Sequence, residues 1–457
     1  MKPNIILITI DCWRGDHLGL SKGSPVKTPN LDSIAAQGHY FSNAYSCGGW
    51  TKVAMTSLFS STHASMYGFT YGKMSTDRPN LAELFSENGY ATAGYTTNLV
   101  CGRSGGFDRG FDVFEDLKPD PPASSGRSDN LFSKIAQKLE NHRLTSWLFP
   151  SKPYYPSTSA DELISKGKEW IAQEHKRPFF LWLHFMDLHW PYASSLRELS
   201  FLELNKMRSD RRKWQLVKQS RGTHDPGTKT ATRWKQLYAE EVEALDSSLG
   251  ELFHYLETLP LWDNTALCIT NDHGEELYEH GTWAHSWNQL FDEGTRTPII
   301  FKLPHSVDAK THDYLVSHLD LSPTLLSLAS IDVPEKMLGN NLFDTPSTPI
   351  YIEMLGHSNS YAYRLAIRDS DYHYIYDADN DSCYLFSTTP SGNSENNLYQ
   401  HDCETSIKFD KLRLAHVSKG AIEMLKRSII IGEDEFSHNL ENDPLVADRL
   451  RALGYIE

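Results

Sequence analysis

Cysteine is sparse in this 457-residue chain, and its six copies follow no pattern. They stand at positions 12, 47, 101, 268, 383 and 403, with no CxxC pair among them. A disulfide framework needs recurrent spacing, so these read as intracellular thiols. Long hydrophobic runs are missing as well. The first apolar stretch covers Asn4 to Ile10 and then meets Asp11-Cys12-Trp13-Arg14. That is too short for a signal peptide or a membrane span. A cytoplasmic protein without membrane insertion is the expectation. Positive charge is scarce too: 44 Lys and Arg face 59 Asp and Glu, a formal net charge of -15. This balance argues against a general binder of nucleic acid or anionic membranes. No internal repeat is evident, and nothing in the chain specifies an oligomeric state.

One segment runs against the overall charge. Ten Lys and Arg collect between Lys206 and Lys235. They read as a solvated helical face or insertion, or as a collar that steers an anionic substrate.

What the chain does have is apolar residues for a sizeable core, 39% hydrophobic with 12% aromatic. Five short apolar runs organise it: Asn4–Ile10, Tyr90–Thr97, Phe179–Phe185, Ala266–Thr270 and Thr297–Leu303. Such runs, bounded by polar residues, read as strands buried on both faces of a parallel sheet. Asp11, Asn98, Asp187, His189, Asn271, Asp272 and His273 follow the first four runs, and His285 and Asp292-Glu293 precede the fifth. Ligands of open α/β sheets gather beyond the carboxyl ends of the strands. These side chains should therefore meet at one edge.

Helices are expected between the strands. Thr28-Pro29 starts one, with Thr as cap and Pro at the first helical position. Thr51–Ser60, Asn80–Asn88, Ala160–Ala172 and Trp234–Leu259 read as others. Residues 118–156, rich in Pro and Ser around a short helical piece at Leu131–Leu139, and the basic residues 193–232 read as insertions. From about residue 350 the pattern changes to antiparallel strands (Tyr361–Ile375, Cys383–Phe386) and a helix over Lys411–Ile431. The expected division is a catalytic domain over 1–349 and a smaller α+β region over 350–457.

The motifs resemble the sulfatase family of the alkaline phosphatase superfamily. NIILITIDCWRGDHLG, WTKVAMTSLFSS, GYATAGYTTN, PFFLWLHFMDLHWPY, NDHGEELYEHG and FDEGTRTPII occur in the family's order. The resemblance implies a doubly wound mixed sheet sandwiched by helices. Asp11 matches the family's first metal-binding aspartate, and Asp272-His273 its later metal pair. Cys12 replaces the second aspartate, either as a soft ligand or as a small packing residue. Sulfatases convert a cysteine in C-x-P/A-x-R to formylglycine, but Cys47 is followed by Gly-Gly-Trp-Thr. The spacing places Thr51 at the nucleophile position instead. Threonine cannot become formylglycine; it is the nucleophile type in branches resembling phosphodiesterases and phosphotransferases.

The chemistry is coherent with that resemblance. A hydroxyl is a poor nucleophile until metal coordination lowers its pKa, and a helix N-terminus favours an anionic ester. One divalent ion held by Asp11, Thr51, Asp272 and His273 is expected. The imidazole favours Mn²⁺ or Zn²⁺, while Ca²⁺ and Mg²⁺ stay open. His189 and His285 are candidates for proton donation to the leaving group. Asn98 and Arg14 are candidates for substrate contact, with an Arg14–Asp16 ion pair as the alternative. Asp187 leaves a second metal open. The implied enzyme is a metal-dependent hydrolase or transferase acting on a small-molecule or glycan-linked anionic ester. A phosphodiester or phosphonate monoester is favoured over a sulfate ester or a silent glycan-binding scaffold.

Overall fold

The structure, a computed structural model, describes residues 2–67, 73–117, 159–173, 175–190, 192, 209–210, 213, 216–217, 225–281, 283–285, 290–344, 348–355, 363–378, 380–388, 396–400 and 403–416. Most of both expected insertions, including 131–139, lies outside these residues, as does the chain after His416.

Fifteen strands are described: β1 Asn4–Ile10, β2 His39–Tyr45, β3 Ala91–Thr96, β4 Val113–Asp116, β5 Phe179–Phe185, β6 Thr265–Asn271, β7 Glu276–Leu277, β8 Trp283–Ala284, β9 Arg296–Lys302, β10 Lys310–His312, β11 Val316–Ser317, β12 Ile350–Leu355, β13 Tyr363–Arg368, β14 Tyr372–Asp377 and β15 Ser382–Ser387. The helices are α1 Pro29–Ala35, α2 Thr51–Ser60, α3 Leu81–Glu87, α4 Ala160–Ile171, α5 Thr228–Glu257, α6 Asp292–Thr295, α7 Leu321–Leu328 and α8 Cys403–His416.

Nine strands make one sheet in the order β10-β2-β9-β6-β1-β5-β3-β4, with β11 also paired to β2. All five apolar runs are strands of this sheet. Alternate side chains fill opposite faces. Ile6, Ile8 and Ile10 join the core under α1, α4 and α5, while Ile5 and Leu7 join the core of the other face. Burial on both faces is why these strands read as continuous apolar runs rather than alternating ones.

The fifth run corrects the parallel expectation: β9 pairs antiparallel with both β6 and β2. Its amino end, not its carboxyl end, therefore lies at the ligand edge. β2 itself does not show as an apolar run. A register shift between Phe41 and Ala44 breaks the alternation, so Tyr40, Phe41, Ala44 and Tyr45 are buried around an exposed-leaning Ser42-Asn43.

α5 starts at Thr228, six residues before the expected Trp234. Its buried stripe of Trp234, Tyr238, Val242, Leu245, Leu249, Leu252 and Leu256 follows helical spacing and packs on α1 and α4. α1 begins at Pro29 as expected, but Thr28 makes no side-chain cap. The cap comes instead from buried Asp246 of α5, whose Oδ1 accepts from Leu31 N at 2.9 Å. Thr28 Oγ1 instead donates to Asp32 Oδ1 at 3.0 Å and accepts from Gly19 N.

A second, four-stranded antiparallel sheet runs β12-β13-β14-β15. It has its own core, which also takes in Trp50, Val53 and Ala64 from the α2 region. α8 starts eight residues before the expected Lys411 and lies on β13.

Candidate active site

Strand register builds the site. β1 and β6 pair with Ile10 opposite Asn271, so Asp11 and Asp272 leave the sheet side by side. Neighbouring strands lie about 4.8 Å apart, which makes this a close approach of two carboxylates. Asp11 N continues the ladder to Phe185 O at 2.8 Å, and Asp11, Asp272 and His273 are all fully buried. The turn after β6 presses on α6 at the amino end of β9. Gly274 N donates to Gly294 O at 2.9 Å, and a Cβ on Gly274 would fall on the Glu293 carbonyl.

The segment leading into α2 is fastened to the same edge. Ser46 N donates to Thr295 O, and Ser46 Oγ donates to Asp272 O at 2.6 Å. Trp50 is the extended N-cap of α2, so Thr51 is its first helical residue and not a capping side chain. That leaves its hydroxyl available to the site. Thr51 Oγ1 lies 3.2 Å from His273 Nε2. His273 Nδ1 donates to Gly274 O at 2.7 Å, which leaves the Nε2 lone pair facing the cluster. A backbone carbonyl on the far nitrogen is the usual support for a metal-ligating histidine. His273 Nε2 is also 3.4 Å from Asp272 Oδ2 and 3.9 Å from Asp11 Oδ1.

The electrostatics are those of a cation site. Burial, then the nearby Asp272 charge, pushes Asp11 up to about 8. Burial opposes the charged form of His273, but Asp272 and Asp11 outweigh it and raise its pKa. Asp272 Oδ2 is buried with no hydrogen-bond partner. Two carboxylates and an imidazole, each offering a ligand atom within 4.8 Å of the others, suit a divalent ion.

Cys12 stands closer to the chemistry than a packing residue would. It adopts a left-handed φ of 63°, a conformation that costs a non-glycine residue on the order of 1 kcal/mol or more. Its N donates to Asp272 Oδ1 at 3.2 Å, and its carbonyl accepts from the Tyr238 hydroxyl at 2.7 Å. Its thiol donates to Asp11 Oδ1 at 2.9 Å and lies 3.5 Å from His285 Nδ1. Cys12, His273 and His285 form a second ligand-competent set sharing His273 with the first.

The remaining candidates divide. Asn98 Nδ2 donates to Asp11 Oδ2 at 2.6 Å, and its Oδ1 accepts from Val100 N, so it orients Asp11. Arg14 pairs with Asp16 at 2.7 Å and Glu279 at 2.9 Å, the ion-pair alternative. The His189 and His285 rings lie 5.0 Å apart, and His285 is 4.7 Å from His273. Burial, then His285, pulls His189 down to about 3. Its Nδ1 donates to Trp190 O at 2.6 Å, so the neutral ring carries its lone pair on Nε2. That form accepts a proton rather than donating one. Asp187 Oδ1 accepts from Ala160 N at the start of α4. Cys47 is away from the cluster, 3.4 Å from Ser317 Oγ, and burial pushes its thiol up to about 12.

Sequence reasoning passed over three residues. Glu275 is fully buried 3.4 Å from His285 Nδ1, and burial raises its pKa. Its place two residues after His273 in the NDHGEE motif was the available signal. Tyr238, which holds the Cys12 carbonyl, and Lys52, which follows Thr51, gave none. Burial lowers Lys52 to about 7, and its ammonium donates to Gly105 O at 2.7 Å.

Comparison with known proteins gives the family and the fold. Residues 3–331 match the family described as Sulfatase, and residues 278–413 match the C-terminal region of N-sulphoglucosamine sulphohydrolase. A sulfatase of Formosa agariphila is 27% identical over 72% of this chain and 70% of its own. The multifunctional alkaline phosphatase superfamily protein PehA of Trinickia caryophylli is 23% identical over 98% and 93%. The crystal structure of the phosphonate monoester hydrolase of Agrobacterium radiobacter superposes with a TM-score of 0.67 at 18% identity, covering 91% of this chain and 96% of that one. With its large mixed sheet flanked by helices, its C-terminal antiparallel sheet and more than half its length matched, the chain belongs to the sulfatase family of the alkaline phosphatase superfamily.

Proposed function

We propose that this hydrolase cleaves a phosphodiester or phosphonate monoester with Thr51 as nucleophile. The observation that carries the reading is the Thr51 hydroxyl, at the first position of α2 and 3.2 Å from His273 Nε2, while Cys47 points to Ser317. Relatives support it, since the chain is similar in sequence to a multifunctional alkaline phosphatase superfamily protein and in fold to a phosphonate monoester hydrolase.

Asp11, Asp272 and His273 would hold a divalent ion, which when bound lowers the pKa of the Thr51 hydroxyl and neutralises charge on the ester oxygens. Mn²⁺ or Zn²⁺ suits the imidazole-containing set best. The rest is done by the chain. Thr51 Oγ1 forms a bond to phosphorus as the bond to the leaving oxygen breaks. The amino end of α2 favours the anionic phosphothreonine. His285 protonates the leaving oxygen, with Glu275 behind its Nδ1. His189, fixed as the Nε2 acceptor, orients a donor of the substrate or of water. His285, neutral after that transfer, then takes a proton from water, whose oxygen bonds to phosphorus as the bond to Thr51 Oγ1 breaks. The proton passes to Thr51 to restore its hydroxyl.

Sulfate esters are disfavoured because a threonine sulfate lacks the breakdown route of a formylglycine hydrate. A metal-replete panel of phosphodiester, phosphonate monoester, phosphomonoester and sulfate esters tests the reading. Phosphodiester or phosphonate turnover should exceed sulfate turnover at least roughly tenfold in kcat/KM, about 1.4 kcal/mol. A faster aryl sulfate, or formylglycine at position 47 by mass spectrometry, overturns it.

A further inference from the structure

A second convergence of metal-competent side chains lies beyond the other end of α2. Ser61 turns the chain with a left-handed φ of 50°, and His63 leads into the short turn Ala64–Tyr67. Glu353 of β12 and His416, the last residue of α8, meet His63 there. Glu353 is fully buried. Its Oε2 accepts from Ser65 N at 2.9 Å, and its Oε1 accepts from Ser65 Oγ at 2.5 Å and from His416 Nε2 at 2.9 Å. The His63 and His416 rings meet edge-on with centroids 4.7 Å apart. Tyr351 stacks on His416 at 4.4 Å and 6°. His63 is 7% exposed, and its Nδ1 has no hydrogen-bond partner.

We propose that His63, Glu353 and His416 form a second metal site, for a borderline transition ion of the Zn²⁺ kind, that clips α8 to the turn after α2. One ligand atom from each residue lies within 4.8 Å of the other two. Two imidazoles and a carboxylate form the donor set that Zn²⁺ takes, whereas Ca²⁺ and Mg²⁺ require more oxygens. Ligand atoms around a tetrahedral zinc with bonds of about 2.0–2.1 Å stand roughly 3.3 Å apart. The 2.9 Å Glu353–His416 pair opens by a few tenths of an ångström and His63 closes in, both by ring rotation. A carboxylate has about four acceptor positions. Ser65 takes two and a His416 proton takes a third, which the ion replaces. Ser65 and Tyr351 supply the outer support that orients metal ligands. A fourth coordination position remains for water. This set shares no residue with the Asp11 cluster, so the two sites are distinct.

The test is zinc content of the full chain, by plasma mass spectrometry after dialysis against buffered Zn²⁺. Wild type should hold two ions, and His63→Gln, His416→Gln and Asp272→Ala one each. Zinc should also raise the Tm of Asp272→Ala by several degrees, and Asp272→Ala/His416→Gln should lose that shift. Equal zinc in wild type and both histidine variants, or no zinc-dependent Tm shift in Asp272→Ala, overturns the proposal. Failure of the catalytic reading looks different: Asp272→Ala then keeps its zinc while the histidine variants still lose one ion.

Discussion

Two clusters of similar residues, one taking in Thr51 at the start of α2 and one taking in His63 after its end, stand in opposite electrostatic states. At Thr51, two fully buried carboxylates stand together with one imidazole, and Asp11 is pushed up to about 8 by burial and by Asp272. Beyond Ser60, one buried carboxylate is surrounded by donors. Burial alone would raise Glu353, but His416, His63 and Ser65 outweigh it and hold it at about 2. Burial also lowers His63 to about 4, which keeps that ring neutral. The first cluster sets two buried carboxylates against one imidazole and leaves Asp272 Oδ2 without a hydrogen bond; the second holds its carboxylate in hydrogen bonds and leaves His63 Nδ1 without one. Similar ligand types thus sit in different charge balances, because burying a second carboxylate beside the first is costly unless a positive charge accompanies it.

The comparison breaks most visibly in turnover. Thr51→Ala should reduce kcat/KM by at least roughly 10³-fold, because the hydroxyl is the attacking atom. His416→Gln, at the other end of α2, should leave kcat/KM within about threefold. Equal losses in both variants would mean that α2 acts as one unit and that the clusters are not separable.

Proton transfer should show the next largest effect. His285→Ala is expected to slow esters with poor leaving groups by about 10²-fold and activated aryl esters much less. His189→Ala should show no such dependence, because its Nδ1 proton is committed to Trp190 O. A leaving-group slope for His189→Ala and none for His285→Ala reverses the assignment.

The smallest effects, in stability, separate the clusters by sign. In chelated protein, folded Asp11 binds a proton more tightly than the unfolded chain does. Its contribution is therefore present at low pH and lost as pH rises between about 4 and 8. Glu353 has the reverse sign: its contribution is present above the unfolded carboxylate range and lost as pH falls toward about 2. Denaturant melts across pH should show that Asp11→Asn flattens the alkaline side and Glu353→Gln the acid side. A wild-type profile unchanged by chelation contradicts the cation demand of the first cluster.

Much of this was legible without coordinates. The apolar runs Asn4–Ile10, Phe179–Phe185 and Ala266–Thr270 are strands because they are buried on both faces, and that burial writes an unbroken apolar signature. Residues just past those strands, Asp11, Asp272 and His273 among them, could be placed at one edge from position alone, while the choice of Thr51 as nucleophile rested on the resemblance to the sulfatase family. β2 stayed hidden because its bulge breaks the period, and α1's cap was misread because the capping carboxylate, Asp246, lies 215 residues away from Leu31. No described helix is long and apolar enough to cross a membrane.

The sequence by itself determined the central strands buried on both faces and the polar side chains that follow them, since local burial and turn chemistry leave a local record. Only the tertiary structure decided the direction of β9, the hydrogen bond from Asn98 to Asp11 and the hydrogen-bonded state of His189. It alone brought His63, Glu353 and His416 together. Pairing direction, proton placement and convergence depend on which groups become neighbours in space, whether the adjacent Trp190 for His189 or Glu353 for the distant Ser65, and no local pattern of side chains encodes that.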